Sequence, residues 1–230
     1  MTLAQRSRLQ RAFFQIHLWI GIAISLYVLV ISVSGSVIVF RRELDRALCP
    51  GPGQTIACAP AFVSGLADFH DNLLADHAGR YANGIGAILI IVLAIAGLVL
   101  WWPGRSNWWR RMSVRRGVGA RRFTLDLHNM LGFWLFVFVF VWALGGIYFA
   151  FPDAFNALAD AFKAGEEETS TSMLVQDGLA TLARLHFGRA YGLSIKILWG
   201  ILGLVPCVLL VTGVLMWWWR VIRRPRLSGP

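Results

Sequence analysis

Two stretches of the chain carry one pattern: RAFFQIHLWIG at residues 11–21 and RFTLDLHNMLG at residues 122–132. In each, an arginine is followed six residues later by a histidine, and a glycine stands four residues after the histidine. Each stretch opens a long apolar run. An ionisable side chain is costly there, so each histidine marks a candidate functional site.

A second pair of histidines follows a second spacing. The separation from His70 to Trp101 equals that from His186 to Trp217. A glycine, Gly97 or Gly213, also stands at the same distance after each histidine. The chain has only five histidines, and four of them fall into two matched pairs. The spacing therefore indicates an internal duplication as well as two candidate sites.

The composition is that of a membrane protein. Of the 230 residues 57% are hydrophobic, and the mean hydropathy is +0.61. A helix needs about 20 apolar residues to cross a bilayer, and four runs are long enough. Because runs 1 and 3 resemble each other, as do runs 2 and 4, we predict one all-α domain over residues 1–230. It is a four-transmembrane-helix bundle built from a duplicated helical hairpin, with spans at about 12–40, 84–102, 129–151 and 193–219.

The predicted outer segments are short, at about 41–80 and 152–192. Residues 41–60 are turn-rich, whereas apolar spacings of three and four predict short extracytoplasmic helices at 61–77, 151–162 and from 174 onward. Cys49 and Cys58 fall in the turn-rich part. On the outer side of a membrane they could form a disulfide or remain two free thiols, and the sequence leaves both open.

The net charge of +10 reflects topology and not nucleic-acid binding. Fourteen of the 22 basic residues lie in the ranges 6–11, 105–122 and 220–226, on one side of a four-span bundle. Eleven of the twelve acidic residues lie on the other side, with Asp126 as the exception. The positive-inside rule then predicts a membrane protein in contact with lipid, with both termini cytoplasmic.

The histidine pairs suggest haem. His17 and His128 begin spans that enter from the cytoplasm, and His70 and His186 precede spans that enter from outside. The two members of each pair should therefore face one another at one depth. Six-coordinate haem needs one nitrogen ligand above and one below the ring. A zinc or copper site needs three or four clustered ligands. A single histidine at a helix end is more often interfacial than a ligand, so the hypothesis rests on the matched pairs.

Glycines and arginines near the histidines are further candidates. Gly21 and Gly132 lie one turn after a histidine on the same helix face, where a porphyrin edge could approach the backbone. Four arginines could meet haem propionates, or could simply anchor the chain at the membrane surface. They are Arg11, Arg122, Arg80 and Arg189.

His77 is an alternative to His70. It follows His70 by two helical turns on nearly the same helix face, and the string His77-x-Gly79-Arg80 resembles His186-x-Gly188-Arg189. The tryptophan spacing favours His70.

Several of these motifs resemble the PepSY-associated transmembrane helix family. They are RAFFQIHLWIG, FHDNLLADHAGR, GLVLWWPG, LDLHNMLG and RLHFGRAYG. This bacterial inner-membrane group includes iron-regulated proteins and ferric-siderophore reductases. The resemblance implies b-type haem ligation by His17, His128, His70 and His186, and it also favours His70 over His77. Longer members carry periplasmic PepSY domains, for which the outer segments here are too short.

The predicted function is transmembrane electron transfer through two haem b groups. No dinucleotide-binding fingerprint is present, so the electron donor would be a dehydrogenase, flavoprotein or quinol on the cytoplasmic side or in the membrane. The resemblance implies a periplasmic acceptor, either a ferric siderophore or a flavoprotein, and hence a ferric-siderophore reductase or a relay subunit. The alternative is a cofactor-free accessory or assembly subunit of an iron-uptake or transport system.

Overall fold

The computed structural model describes residues 3–48, 61–102, 108–163, 170–188 and 192–222. Within these ranges the chain is helical and contains no strand. The helices are α1 (Leu3–Ala23), α2 (Ser25–Ile38), α3 (Arg41–Leu48), α4 (Ala61–Asn72), α5 (Asp76–Trp101), α6 (Trp108–Arg111), α7 (Ala120–Trp134), α8 (Phe136–Ala150), α9 (Pro152–Lys163), α10 (Ser170–Phe187), α11 (Gly192–Gly203) and α12 (Val205–Val221). The all-helical prediction is confirmed for the described residues.

The helices long and apolar enough to cross a membrane agree with the predicted runs. Two qualify directly, Asp76–Trp101 and Gly192–Val221, and two bent pairs, α1 with α2 and α7 with α8, qualify if each pair is one span. The second and third spans begin earlier than the apolar runs, at residues 76 and 120. A helix continues through polar residues because its backbone hydrogen bonds are made internally, so hydropathy alone misses these ends.

The bends in the two helix pairs match each other, which the sequence did not predict. The α1–α2 pair bends by 63° and the α7–α8 pair by 61°. The breaks fall at Ile24 and Leu135, and each lies three residues after a glycine, Gly21 or Gly132. Glycine lowers the cost of a local departure from helical geometry. The two glycines of the repeated pattern thus precede matched bends.

The fourth span has a break with a different cause. Helix α11 ends at Gly203 and α12 begins at Val205. Pro206 has no backbone N–H and cannot donate to the carbonyl four residues earlier, so the helix is interrupted just before it.

The chain forms two compact units. The first comprises residues 1–29, 91–139 and 205–230. In this unit α12 packs against α7 and α1, and α6 packs against α7. Trp101 at the end of α5 is buried and stacks on Phe133, with ring centroids 4.1 Å apart. The first unit holds His17 and His128.

The second unit comprises residues 30–90 and 140–204. Here α3 packs against α4, and α9 against α10. The close packing of α2 and α11 needs small residues, since a Cβ on Gly203 would lie 2.5 Å from Oγ of Ser36. Oγ of Ser32 also donates to the Gly203 carbonyl. The second unit holds His70 and His186.

The segment predicted as one helix over 61–77 is interrupted, and that prediction is wrong at its end. Helix α4 stops at Asn72, because Leu73 and Leu74 adopt left-handed backbone conformations with φ of 52° and 59°. The side-chain amide of Asn83 donates to the carbonyls of His70 and Asp71, at 2.6 and 2.8 Å. At the end of a helix, such carbonyls lack the backbone N–H that would donate to them inside the helix. The side chain of Asn83, which comes from α5, therefore caps α4 at a point where the apolar spacing predicts that the helix continues.

Residues 41–48 also differ from the prediction of a turn-rich loop, because they form α3. A tertiary ion pair stabilises this helix: Nζ of Lys196 donates to Oε1 of Glu43 at 2.6 Å. Residues 49–60, with Cys49 and Cys58, lie outside the described residues. The predicted helices at 151–162 and from 174 onward are confirmed as α9 and α10.

Candidate functional site

The first histidine pair, His17 on α1 and His128 on α7, lies within the first unit. Their ring centroids are 6.2 Å apart, and the ring planes are nearly perpendicular at 88°. Nδ1 of His17 is 3.0 Å from the carbonyl of Leu93 on α5. Nδ1 of His128 is 2.9 Å from Oγ1 of Thr212 on α12. The structure thus brings together two histidines that lie in opposite halves of the sequence.

The hydrogen bonds determine which ring nitrogen carries the proton in this pair. A carbonyl only accepts, so Nδ1 of His17 must donate to Leu93. The Thr212 hydroxyl donates to the carbonyl of Val208 at 2.8 Å, and its oxygen is therefore free to accept the N–H of His128 Nδ1. In a neutral imidazole the other nitrogen, Nε2, then has the lone pair. In both rings the lone pair available to a metal is then on Nε2.

The second histidine pair, His70 on α4 and His186 on α10, follows the same rule in the second unit. Nδ1 of His70 donates to Oγ of Ser34 at 2.9 Å, since the Ser34 hydroxyl itself donates to the Val30 carbonyl at 2.7 Å. Nδ1 of His186 donates to the Trp142 carbonyl at 3.1 Å. The lone pair of each neutral ring again lies on Nε2.

Burial keeps the second pair neutral. Burial lowers the pKa of His70, opposed by the charge of Asp71 and the backbone of Ile31. Burial lowers the pKa of His186 to about 4, with a further lowering from the charge of His70. Desolvation disfavours the charged imidazolium. Each ring therefore retains a lone pair at neutral pH, as a metal ligand must.

A glycine faces each of the four rings. A Cβ on Gly97 would lie 3.1 Å from His17, and one on Gly213 would lie 3.5 Å from His128. In the second unit the approach is closer: a Cβ on Gly35 would lie 2.8 Å from His70, and one on Gly145 would lie 2.5 Å from His186. These glycines let the histidines pack directly on a neighbouring helix backbone.

The donor set fits haem better than a bare metal ion. The described residues contain no group of three or more His, Cys, Asp or Glu side chains that could hold a metal ion. A zinc site takes three or four protein ligands, whereas a porphyrin supplies four nitrogens and needs only two axial ligands. Each histidine pair offers two.

The spacing of the first pair also fits. A metal midway between rings 6.2 Å apart would be 3.1 Å from each centroid. A metal–imidazole bond of about 2 Å plus roughly 1 Å from nitrogen to ring centre gives the same separation. The perpendicular planes are compatible, because an axial ring can take any rotation about the metal–nitrogen axis. Haem ligation itself stays a prediction.

The other predicted site residues have different surroundings. Gly21 and Gly132 face leucines of neighbouring helices: a Cβ would lie 3.8 Å from Leu93 and 3.9 Å from Leu209, respectively. They precede the matched bends and contact no histidine ring. Room for a side chain exists at both positions.

The predicted arginines are partly engaged by carboxylates. Nε of Arg122 is 3.1 Å from Oδ1 of Asp126, and Nε of Arg115 is 2.9 Å from Oδ2 of the same carboxylate. Arg80 pairs with Asp71 at 3.3 Å. Arg11 also has an interaction partner, and Arg189 lies outside the described residues.

His77 differs from the four paired histidines. It lies in the first turn of α5 and is exposed, whereas His70 is near the end of α4 and half-buried. The similarity between His77-x-Gly79 and His186-x-Gly188 is not structural, because Gly188 adopts a left-handed φ of 60° just after α10 while Gly79 lies within α5. The structure therefore favours His70 as the partner of His186.

Sequence reasoning missed the residues that hold the rings. Ser34, Thr212, Gly35 and Gly145 each contact a histidine, yet none stands out within an apolar helix. For Asp126, by contrast, the sequence did contain a signal that could have marked it as important. It is the one acidic residue on the basic side of the chain, and its side chain is buried between two arginines.

Comparison with known proteins identifies the family. No curated protein and no solved structure matches the chain. A family model described as the PepSY-associated TM region matches residues 14–64, 51–180 and 163–220, which together cover most of the sequence. The chain is therefore a membrane protein that belongs to the PepSY-associated TM region family.

Proposed function

We propose that this protein is a di-haem b-type transmembrane electron-transfer protein of the bacterial inner membrane. One haem would be held by His17 and His128, and the other by His70 and His186. The observation that carries the proposal is the common orientation of all four rings. Each donates from Nδ1 to a neighbouring helix, so the lone pair for iron lies on Nε2.

The proposed architecture is a four-helix bundle made from a duplicated helical hairpin, with both termini cytoplasmic. The matched bends of 63° and 61° and the repeated histidine spacings support the duplication. The arginine distribution supports the orientation by the positive-inside rule. In this arrangement the first pair would lie toward the cytoplasm and the second pair toward the periplasm.

A haem bound between two imidazoles supplies one-electron iron chemistry without an open coordination position. The protein's own residues provide the rest. The carbonyl of Leu93 and the hydroxyl of Thr212 hold the first two rings in the metal-binding tautomer. Ser34 and the carbonyl of Trp142 do so for the second two. Burial lowers the pKa of His70 and of His186, which keeps the second two rings unprotonated.

The partners follow from the two sides of the membrane. A cytoplasmic or membrane donor, such as a dehydrogenase, flavoprotein or quinol, would deliver electrons near the first pair. A periplasmic acceptor would take them near the second pair. The motifs resemble a family that includes ferric-siderophore reductases, so a ferric siderophore is the acceptor to test first, and an extracytoplasmic flavoprotein the next.

The decisive experiment is the visible spectrum of protein purified from haem-replete cells. We expect two haems per chain, with the reduced-minus-oxidised spectrum of a bis-imidazole b-type haem. His128→Ala and His186→Ala should each halve the haem content, because each removes one ligand of a different pair. His77→Ala is the matched control and should retain both haems.

A colourless wild-type protein would contradict the proposal and favour a cofactor-free accessory subunit. If haem is present, mixing the chemically reduced protein with a ferric chelate separates a reductase from a relay. Rapid reoxidation indicates a reductase, and slow reoxidation indicates that another subunit is the natural acceptor.

A further inference from the structure

In each unit one histidine donates to a backbone carbonyl and the other donates to a hydroxyl. The carbonyls are those of Leu93 for His17 and Trp142 for His186. The hydroxyls are those of Thr212 for His128 and Ser34 for His70. Both hydroxyls are buried, with exposures of 5% and 2%.

The internal duplication shows what the hydroxyls add in the first unit. When the two repeats are aligned on His70 and His186, Leu93 corresponds to Leu209 and Ala96 to Thr212. The backbone of Leu209 is indeed also a hydrogen-bond partner of His128. Thr212 is therefore an additional acceptor at a position where the other repeat has a buried alanine.

The second unit repeats this relationship. When the repeats are aligned on His17 and His128, Trp142 corresponds to Ile31 and Gly145 to Ser34. The backbone of Ile31 interacts with His70, as that of Trp142 does with His186. Ser34 is again an added hydroxyl, here at a position where the other repeat has glycine.

Each added hydroxyl also has its own proton committed. Thr212 donates to Val208 at 2.8 Å, and Ser34 donates to Val30 at 2.7 Å, each four residues earlier in its helix. A hydroxyl fixed in this way can only accept from the imidazole. It therefore adds a second acceptor at Nδ1, beside the backbone carbonyl, and strengthens the hydrogen bonding that orients the ring.

We propose that Thr212 and Ser34 are positioning residues that tune the two haems separately, Thr212 through His128 and Ser34 through His70. This inference rests on the proposed function. An acceptor at Nδ1 makes the imidazole a stronger electron donor at Nε2. A stronger donor stabilises ferric iron and lowers the reduction potential of the haem to which it is bound.

The test is a redox titration of Thr212→Val, which replaces the hydroxyl with a methyl group of similar size. We expect the potential of one haem to rise, with about a tenfold change in its reduced-to-oxidised ratio at fixed ambient potential, or about 59 mV for one electron. The other haem should be unchanged, and Thr212→Ser should restore the wild-type value. Ser34→Ala should shift the other haem instead.

Two buried hydroxyls provide matched controls. Thr124 in the first unit and Ser36 in the second are buried, and each donates to the carbonyl four residues earlier. Thr124→Val and Ser36→Ala should leave both potentials unchanged. Unchanged potentials in Thr212→Val and Ser34→Ala, or equal shifts in the controls, would overturn the inference.

A second measurement does not depend on haem. In protein labelled with ¹⁵N-histidine, nitrogen chemical shifts distinguish the two neutral tautomers. We expect four rings protonated at Nδ1 in the haem-free wild type, and a shifted Nδ1 resonance for one of them in Thr212→Val, because its N–H loses one of two acceptors. An unchanged spectrum would contradict the inference even if the protein binds haem. Absence of haem from the wild type would instead contradict the proposed function.

Discussion

The two histidine pairs have the same hydrogen-bond chemistry but different packing. In the first unit the closest atoms of His17 and His128 would lie 3.1 and 3.5 Å from a Cβ added to the facing glycines. In the second unit the corresponding distances are 2.8 Å for His70 and 2.5 Å for His186. Real side chains essentially never tolerate the shorter distances. Glycine is therefore required opposite His70 and His186. Opposite His17 and His128, an added Cβ would make a tight contact and an ordinary contact, respectively.

The units also differ in their ion pairs. In the first, Asp126 is 3% exposed and is shared by Arg115 and Arg122, just before His128. In the second, Lys196 is 10% exposed and pairs with Glu43. One unit thus buries an anion and the other buries a cation. The first joins the segment between α6 and α7 to α7, the second joins α3 to α11, and each can be tested separately.

The largest difference is expected from alanine at the facing glycines. Gly145→Ala should displace His186 from the Trp142 carbonyl and remove about half of the bound haem, because the new Cβ would lie 2.5 Å from Nδ1 of the ring. Gly213→Ala should retain both haems, since its Cβ would make an ordinary contact with His128. Haem content per chain measures both variants. Equal haem loss in the two variants would show that the packing difference between the pairs has no consequence.

A smaller effect is expected at Asp126. Asp126→Asn keeps the shape but removes the buried charge that two arginines share, and should lower the free energy of unfolding by about 2 kcal/mol. Thermal unfolding in detergent, followed by tryptophan fluorescence, measures the change. Asp71→Asn is the control, since its pair with Arg80 is exposed on both sides and should contribute less than about 1 kcal/mol. A control as unstable as Asp126→Asn would argue against a special role for the buried carboxylate.

The smallest effect is expected at Glu43. Glu43→Gln should destabilise the second unit by about 1 kcal/mol at neutral pH, because Lys196 loses its ionised partner. The hydrogen bond from Lys196 lowers the pKa of Glu43. The stabilisation is therefore present above the unfolded pKa and is lost as the pH falls through the folded value. Melting curves of wild type and variant should converge in acid; curves that stay parallel at every pH would exclude this origin.

The sequence predicted the membrane-spanning helices better than the tertiary contacts between helices. Hydropathy predicted four spans, and the repeated spacings predicted which histidines belong together. The end of α4 could not be predicted, because apolar residues continue at the same spacing through Leu73 while Asn83, from the next helix, caps the free carbonyls. The same limit applies to α3, whose partner Lys196 is far from Glu43 along the chain.

For the individual site residues, too, the sequence predicted some properties and missed others. His70 and His77 are nearly equivalent by helical spacing, and only the break after Asn72 separates a half-buried residue from an exposed one. Gly21 and Gly132 were assigned to a cofactor edge because they share a face with the histidines. The structure instead shows them just before the matched bends. The prediction missed this because a pattern of side chains does not reveal how a glycine affects the backbone.

By itself, the sequence determined that this chain is a membrane protein with two histidine pairs at repeated spacings, because apolar length and residue spacing are local properties. The tertiary structure decided which nitrogen of each histidine is available, since that depends on acceptors that arrive from other helices. It also decided which glycines are indispensable. Their role depends on how closely another helix approaches, and no spacing along the chain records that distance.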